Sequence, residues 1–216
     1  MNELDIWKSD RLGVFTASRI SDLLVTAKVN KDDFGDKAYS YIKEKVCEIL
    51  TGETKFEAIS KSIEWGNENE AKAMDLYKKL RTDKNVSYFG KENPKCFSLT
   101  PEINILGSPD GLIFGERVIE IKCPYNSVNH IENITMNLEE FKKERKDYYA
   151  QIQVNMLVTD TNKADFVSFD PRMIGEKLQI HILEIPKDSD FQKHIINQVE
   201  KATLILRTMT KELTNN

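Results

Sequence analysis

The sequence predicts a mixed fold to which both α-helices and β-strands contribute. Short apolar runs bounded by Gly, Pro and Asn lie between residues 83 and 124, and again between 164 and 185, a pattern typical of strands. Longer segments with apolar residues three or four apart indicate helices. These helical segments are residues 39–50, 62–81, 148–158 and 190–213. The predicted fold class is therefore α/β in the broad sense (α+β).

Length and composition are those of one soluble globular domain. The 216 residues can bury a sizeable core, and the hydrophobic (40%) and charged (31%) fractions are ordinary. No apolar run is long enough to span a membrane and the N-terminus lacks signal-peptide features, so we expect no membrane association. Three cysteines without metal-ligand spacing predict buried thiols in a reducing cytoplasm. The net charge of −4 leaves nucleic-acid contacts to local basic patches and cations.

The first motif along the chain is Arg11-Leu-Gly-Val-Phe-Thr-Ala-Ser18. Thr16 or Ser18 is expected to cap a helix whose apolar positions follow it. A helix N-terminus beside an arginine suits a phosphate group, because its free N–H groups and its dipole both favour an anion. The alternative is an ordinary capped helix with a solvated arginine.

Two helices are predicted next. The first ends at Gly52, and its Lys43, Glu44, Lys45 and Glu48 are expected to form a solvated face. The second carries an anomaly, since Glu70 falls on its otherwise apolar stripe. A carboxylate there is costly unless it is paired, hydrogen-bonded or bound to a metal, although a position near the helix start would also explain it.

A β-hairpin is predicted where the apolar runs 112–114 and 118–121 flank a linker that contains glycine. If the loop is residues 115–117, Phe114 faces Val118. A loop of two residues would reverse the side of the sheet on which the residues before the hairpin lie. The register therefore decides which polar side chains meet.

With the three-residue loop, Leu112 faces Glu120, Asp110 faces Lys122, and Asp110, Glu120 and Lys122 project from one face. Two carboxylates and a lysine suit hydrolysis of a phosphodiester with the help of Mg²⁺, which binds hard oxygen ligands. The alternative is a surface hairpin with an exposed ion pair between its strands.

The later elements extend this pattern. Runs at 86–89, 96–99 and 103–106 are expected to enlarge the sheet of the hairpin. The basic run 142–146 is either a solvated helix face or a contact to a nucleic-acid backbone. In the buried helix 148–158, Gln151 and Asn155 share a face, and their amides either pair within the core or reach an active site. Strands are predicted at 164–169 and 178–185, with a turn at 170–173.

Six motifs follow one another along the chain. They are Arg11-Leu-Gly-Val with Thr16-Ala-Ser18, Trp65-Gly-Asn-Glu-Asn-Glu70, Ser108-Pro-Asp-Gly-Leu112, Ile119-Glu-Ile-Lys-Cys-Pro124, Tyr148-Tyr-Ala-Gln-Ile-Gln153 and Asp170-Pro-Arg-Met173. In this order they resemble the phage λ exonuclease and YqaJ-like viral recombinase family of the PD-(D/E)xK nuclease superfamily. The resemblance implies a central mixed β-sheet flanked by helices, with a restriction-endonuclease-like core. It implies a single nuclease domain over residues 1–216, with a core at about 7–186 and a C-terminal helix at about 190–213.

The resemblance also assigns roles to residues. Asp110 and Glu120 would be the main metal ligands, joined by Glu70 and the carbonyl group of Ile121. The catalytic set would be Lys122, Glu120, Asp110, Gln151 and Glu70. The 5′-phosphate of the DNA would be bound by Arg11, Ser18 and Ser108.

The activity implied is that of a Mg²⁺-dependent exodeoxyribonuclease, with Mn²⁺ as a substitute. It would digest one strand of double-stranded DNA from its 5′ end, release mononucleotides and leave 3′ single-stranded tails. The implied partners are a single-strand annealing protein and further copies of the chain in a trimer, in the cytoplasm of a bacterial host. Two alternatives stay open: a structure-specific or nicking endonuclease on the same core, and a DNA-end-binding protein that has lost catalysis. The intact Asp110, Glu120 and Lys122 argue against the second.

Overall fold

The structure is a computed structural model that describes residues 3–28, 33–54, 60–81, 85–100 and 102–215. The chain begins with α1 (Glu3–Asp10), β1 (Phe15–Thr16), a 3₁₀ helix (Ala17–Leu24), α2 (Asp36–Thr51) and α3 (Lys61–Leu80). The strands that follow are β2 (Ser87–Tyr88), β3 (Phe97–Thr100), β4 (Ile103–Gly107), β5 (Gly111–Ile113) and β6 (Arg117–Lys122). Next come α4 (Ser127–Thr135), α5 (Leu138–Glu144), α6 (Lys146–Thr159), β7 (Lys163–Phe169), α7 (Glu176–Gln179), β8 (Ile180–Pro186) and α8 (Ser189–Thr214). Within these ranges, no helix is long and apolar enough to cross a membrane.

The central sheet has the strand order β2-β5-β6-β7-β8. β6 and β7 run parallel because α4, α5 and α6 carry the chain back between them, whereas the other pairs are antiparallel. The predicted mixed sheet flanked by helices is thereby confirmed. The expectation that all three runs between 86 and 106 enlarge the hairpin sheet is wrong. Only β2 does so, since β3 and β4 join β1 in a separate sheet of three strands.

The β5–β6 hairpin has a loop of three residues, as predicted, but the loop begins one residue earlier. Leu112 pairs with Val118 and Ile113 with Arg117, so the loop is residues 114–116, with Gly115 at a φ of 72°. The register differs by two residues from the expected one. Because strand alternation has a period of two, residues 110, 120 and 122 still belong to one face.

Arg117 explains the difference in register. It was predicted to lie in the loop, but it is only 7% exposed and its Nη1 atom donates a hydrogen bond of 2.6 Å to Asp165. This tertiary ion pair draws residue 117 into the strand opposite Ile113. A sequence pattern of local turn residues carries no information about that partner.

The two faces of the central sheet are covered by different helices. On one face, Ile119 and Ile121 of β6 pack against α3 through the residues Ala73, Met74 and Tyr77. On the other face, Val118 packs with Phe166 of β7 and with Ile152 of α6. The alternation along β6 therefore directs its even-numbered side chains, Glu120 and Lys122 among them, towards α6.

A second core joins the N-terminal segment to α2, α6 and α8. Three expectations about this region are wrong. The segment after Thr16 is a 3₁₀ helix, and the Thr16 side chain makes no capping hydrogen bond to it. Lys45 and Glu48 are buried rather than solvated, because Lys45 donates to both carboxylate oxygens of Glu48, which in turn accepts the N–H of Gly13. Cys47 is exposed, contrary to the expectation of buried thiols.

We expect the buried carboxylate of Asp165 to be a main determinant of stability. It accepts hydrogen bonds from Tyr77, Arg81 and Arg117, and the side chain is fully buried. Asp165→Ala leaves the buried Arg117 charge without its nearest partner, so the free energy of unfolding should fall by about 3–5 kcal/mol. Urea denaturation measures this loss.

The matched control is Asp190→Ala, since the side chain of Asp190 is 97% exposed. An exposed substitution of this kind changes the free energy of unfolding by about 0.5 kcal/mol or less. Equal losses in the two variants would contradict the structural role of Asp165.

Candidate active site

The site is centred on Glu120, whose side chain is fully buried in the middle of the sheet. Its Oε1 atom accepts hydrogen bonds of 2.6 Å from Lys122 Nζ and 2.6 Å from Gln151 Nε2. Its Oε2 atom accepts one of 2.9 Å from Asn155 Nδ2. A buried carboxylate needs such donors, because its removal from water is otherwise prohibitively costly.

The local sequence explains why these groups meet. Glu120 and Lys122 are two residues apart on β6 and share the face that α6 covers, while Gln151 and Asn155 are one helical turn apart on α6. Of the two interpretations of these amides, the structure supports the one in which they reach the acidic site. Gly107 leaves room for this arrangement, since a Cβ atom there would lie 2.6 Å from Asn155 Oδ1.

Asp110 lies immediately before β5, next to the end of β6. Its Oδ2 atom accepts a hydrogen bond of 2.6 Å from the N–H of Ile121. The pKa of Asp110 is raised well above its ordinary value, first by removal of the carboxyl group from water and then by the negative charges of Glu120 and Glu70. The two predicted carboxylates of the hairpin therefore lie close enough to repel each other.

Glu70 reaches the same site from α3, on the other side of the sheet. Its Oε1 atom accepts a hydrogen bond of 3.0 Å from the hydroxyl group of Tyr88. Burial raises the pKa of Glu70, and the negative charge of Glu120 adds to the effect. The carboxylate on the apolar stripe of α3 is thus hydrogen-bonded and near the hairpin acids. A hydrogen bond is one of the conditions under which a carboxylate is tolerated on a core-facing stripe.

Lys122 remains a cation in this arrangement. Burial lowers the pKa of its ammonium group, but the charges of Glu120 and Asp110 outweigh burial and raise the pKa above its ordinary value. The Nζ atom also lies 5.1 Å from the centre of the Tyr148 ring, at cation–π distance. With these partners, Lys122 is suited to orienting an oxygen atom or balancing negative charge rather than to accepting a proton.

The acidic residues fit a divalent cation by their chemistry. Glu70, Asp110 and Glu120 offer hard oxygen ligands, and the mutual repulsion that raises the pKa of Asp110 is what a cation relieves. In the part of the chain that the structure describes, no three acidic, histidine or cysteine side chains form a ready-made metal cluster. The oxygens of Glu120 are instead directed to the donors on Lys122, Gln151 and Asn155.

A cavity of about 350 Å³ opens beside these acids and brings together the three residues expected to bind a phosphate. Its lining includes Arg11, Ser18 and Ser108, together with Glu70, Asp110 and Gln151. We call it the terminal pocket. The motif at residues 11–18 and the hairpin motif, about ninety residues apart in the sequence, thus face a common space.

Trp7 organises this pocket and was not singled out from the sequence. The Arg11 guanidinium lies 4.2 Å from the centre of the Trp7 ring, and the Trp7 indole N–H donates a hydrogen bond of 3.1 Å to Ser108 Oγ. An aromatic residue four positions before the arginine is the signal that would have indicated it. Tyr88 and Tyr148 were missed too, and no local pattern links them to the acids.

Asn155 should contribute to stability through Glu120. Asn155→Leu removes a donor from a fully buried carboxylate, so the free energy of unfolding should fall by about 1.5–3 kcal/mol, the range for a hydrogen bond to a charged group. Asn197→Leu, at an exposed position of α8, is the matched control. The cost of Asn155→Leu should shrink in a Glu120→Gln background, and an unchanged cost in denaturant titrations would show that Asn155 acts independently of Glu120.

The chain is similar to a known protein family and to solved structures. The family model described as YqaJ-like viral recombinase domain matches residues 6–162. An alkaline exonuclease, LHK-Exo from Laribacter hongkongensis, superposes with a TM-score of 0.80 at 28% sequence identity, over 98% of this chain and 96% of that chain. The structure of LHK-Exo in complex with dAMP gives a TM-score of 0.81 at the same identity and the same coverage of both chains.

A phage-related exonuclease from Haemophilus somnus 129PT shares the fold, with a TM-score of 0.70 at 19% identity over 94% of this chain and 95% of that chain. The comparison with curated protein sequences found no significant match. The family model covers well over half of the chain and includes the N-terminal motif, the hairpin and α6. The chain therefore belongs to the family of YqaJ-like viral recombinase domains.

Proposed function

We propose that the protein is a Mg²⁺-dependent 5′→3′ exodeoxyribonuclease that acts on double-stranded DNA ends. It releases mononucleotides and leaves 3′ single-stranded tails. The observation that carries the proposal is the terminal pocket, in which Arg11, Ser18 and Ser108 line the same space as Glu70 and Asp110. Its volume of about 350 Å³ is near the lower end for small-molecule sites, which suits one terminal nucleotide.

Asp110 and Glu120 would hold Mg²⁺, with Glu70 and the carbonyl group of Ile121 as further ligands. When bound, the ion supplies a Lewis acid for the phosphate and lowers the pKa of a coordinated water. The amides of Gln151 and Asn155 fix the orientation of Glu120 from the α6 side. Mn²⁺ has the same preference for oxygen ligands and would substitute.

Lys122 places a cationic ammonium group beside Glu120. It balances the negative charge that develops on the phosphate oxygens and orients the attacking water. Gln151, which lines the pocket, holds Glu120 with its amide nitrogen. Lys122 acts through its charge and Gln151 through its position, and Lys122 does not need to change its protonation state.

Arg11, Ser18 and Ser108 bind the 5′-phosphate of the digested strand. The Arg11 guanidinium group lies over the Trp7 ring. A guanidinium group can bind a phosphate through two parallel hydrogen bonds. Ser108 is tied to Trp7 by the indole N–H, so both contacts depend on the same aromatic ring. If these residues bind a terminal phosphate, the enzyme prefers a chain end to an internal phosphodiester.

The family assignment leads us to propose the biological setting as well. The 3′ tails would pass to a phage-type single-strand annealing protein, and the chain would assemble as a homotrimer. It would work as a single nuclease domain in the cytoplasm of a bacterial host.

Metal dependence is tested with Asp110→Asn and with Asp75→Asn, an exposed acid on α3, as its control. Asp110→Asn should lose at least about two orders of magnitude in hydrolysis, since Lewis-acid stabilisation is worth several kcal/mol and 1.4 kcal/mol corresponds to tenfold. Titration with Mg²⁺ should raise the melting temperature of the wild type and of Asp75→Asn, but not of Asp110→Asn. Hydrolysis by the wild type in excess EDTA would refute the proposal.

End recognition is tested with Arg11→Ala on duplexes that carry a 5′-phosphate or a 5′-hydroxyl group. Charged hydrogen bonds contribute about 1.5–3 kcal/mol each, so the wild type should prefer the phosphorylated end by about one to two orders of magnitude in initial rate. Arg11→Ala should lose most of this preference. Arg207→Ala, an exposed cation on α8, should retain it.

All of these rates must be measured at the same salt concentration, because the strength of general contacts to phosphates depends on salt. If Arg11→Ala is slower by the same factor on both kinds of end, Arg11 is a general backbone contact and another group recognises the terminus.

A further inference from the structure

A second, larger cavity adjoins the catalytic residues and is not explained by the chemistry above. It measures about 980 Å³ and lies between the first half of α3, the segment after β6, and the junction of α5 with α6. We call it the strand groove. Its lining includes Lys122, Asn67 and Glu70, and the last two also line the terminal pocket. The two spaces therefore adjoin at Asn67 and Glu70.

One wall of the groove is anchored to the end of the sheet that carries Lys122. Ser168 of β7 is the register partner of Lys122, and its hydroxyl group hydrogen-bonds His130 Nδ1 at 2.8 Å and accepts from Asn133 Nδ2 at 3.0 Å. His130 Nε2 donates a hydrogen bond of 2.9 Å to the carbonyl oxygen of Leu178, which can only accept. α4 is thereby held rigidly against β7.

The same network continues to the junction of α5 and α6. Arg145 Nε donates a hydrogen bond of 3.0 Å to Asn133 Oδ1, and both residues line the groove. Phe141 of α5 packs against Phe166 of β7 at a ring distance of 4.6 Å. The segment between β6 and α6 thus forms a fixed wall beside Lys122.

The Asp170-Pro-Arg-Met173 turn supports the floor of the groove. This turn has no role in the proposed reaction. Arg172 forms an ion pair with the buried Asp170 and donates to the carbonyl oxygens of Pro124 and Tyr125, at 3.2 and 3.0 Å. Its guanidinium lies 4.3 Å from the centre of the Trp65 ring, whose neighbour at 6.3 Å is the ring of Tyr125. These contacts hold Tyr125 in place although the residue is 51% exposed.

The chemistry of the lining favours nucleotides with accessible bases over a bare duplex backbone. Four cationic side chains are nearly balanced by three acidic ones, so the electrostatic attraction alone is modest. The cations are Lys122, Lys143, Arg145 and Lys146, and the acids are Glu70, Glu144 and Asp147. The lining also offers amide groups and the exposed ring of Tyr125. Single-stranded nucleic acids are bound by this combination of aromatic stacking surfaces and basic contacts.

We propose that the strand groove binds the nucleotides that follow the terminal one on the digested strand. Tyr125 is a stacking surface for one of their bases, and Lys143 and Lys146 contact their phosphates. The inference rests on the proposed function, because it takes the terminal pocket as the place of the first nucleotide. The larger volume of the groove then matches the several nucleotides that must be positioned behind it.

The test uses 5′-phosphorylated single-stranded hexanucleotides with 2-aminopurine as the third base, bound to the full chain in EDTA. Stacking on Tyr125 should quench the fluorescence of the probe. Tyr125→Leu should abolish most of the quenching and raise the Kd by about 5- to 100-fold, as expected for the loss of one stacked base. Phe114→Leu, at an exposed aromatic residue in the loop between β5 and β6 (62% against 51% for Tyr125), should behave as the wild type.

The lysines are tested by salt dependence. Each phosphate contact to a single strand contributes about 0.7 to the slope of log K against log salt, so Lys143→Ala with Lys146→Ala should reduce the slope by about 1.4. Lys193→Ala is the matched control for Lys143, since both side chains are largely exposed (74% and 80%) and lie near an acidic neighbour at 3.6 and 3.5 Å.

Digestion of linear duplex DNA with Mg²⁺ is measured in parallel. Wild-type quenching that survives in Tyr125→Leu, or a salt slope that is unchanged in the double lysine variant, overturns the groove proposal even when digestion is intact. Absence of digestion in the wild type overturns the proposed function instead, so the two failures are distinguishable.

Discussion

The buried carboxylate of Glu120 is the interaction on which the site depends. It lies in the central sheet without exposure to water, and it is held by Lys122 on the same strand and by two amides of α6. Such a group is tolerated only when donors surround it, so the packing of α6 on β6 and the orientation of the acid are determined together. The chain thereby presents an acidic centre whose geometry is set by the core of the protein.

The sheet also carries a second buried acid, Asp165, on the face covered by α3. Its pairing with Arg117 sets the hairpin register, while Glu120 on the opposite face sets the site. The stability of the fold and the position of the functional groups therefore both depend on the same pair of strands, β6 and β7. Lys122 of β6 lines the strand groove, and Glu70 lines both the groove and the terminal pocket.

Much of this arrangement could be predicted from the sequence, and the parts that could not have a common cause. The face shared by Glu120 and Lys122, and the face shared by Gln151 and Asn155, follow from strand and helix periods, which are local properties. The predicted register of the hairpin was wrong because Arg117 forms an ion pair with Asp165, 48 residues away in the sequence. The burial of Lys45 and Glu48 was missed because it depends on a hydrogen bond from the N–H of Gly13, which is also distant in the sequence. The separate sheet of β1, β4 and β3 likewise depends on long-range pairing.

We propose that the acids around Glu120 and the pocket around Arg11 form one end-directed, metal-dependent nuclease site. The most direct measurement compares linear duplex DNA with the same DNA as a covalently closed circle, with Mg²⁺ and in EDTA. We expect that Mg²⁺ supports complete digestion of one strand of the linear DNA, that the circle stays intact, and that neither substrate changes in EDTA. Cleavage of the closed circle, or hydrolysis without metal, would contradict it.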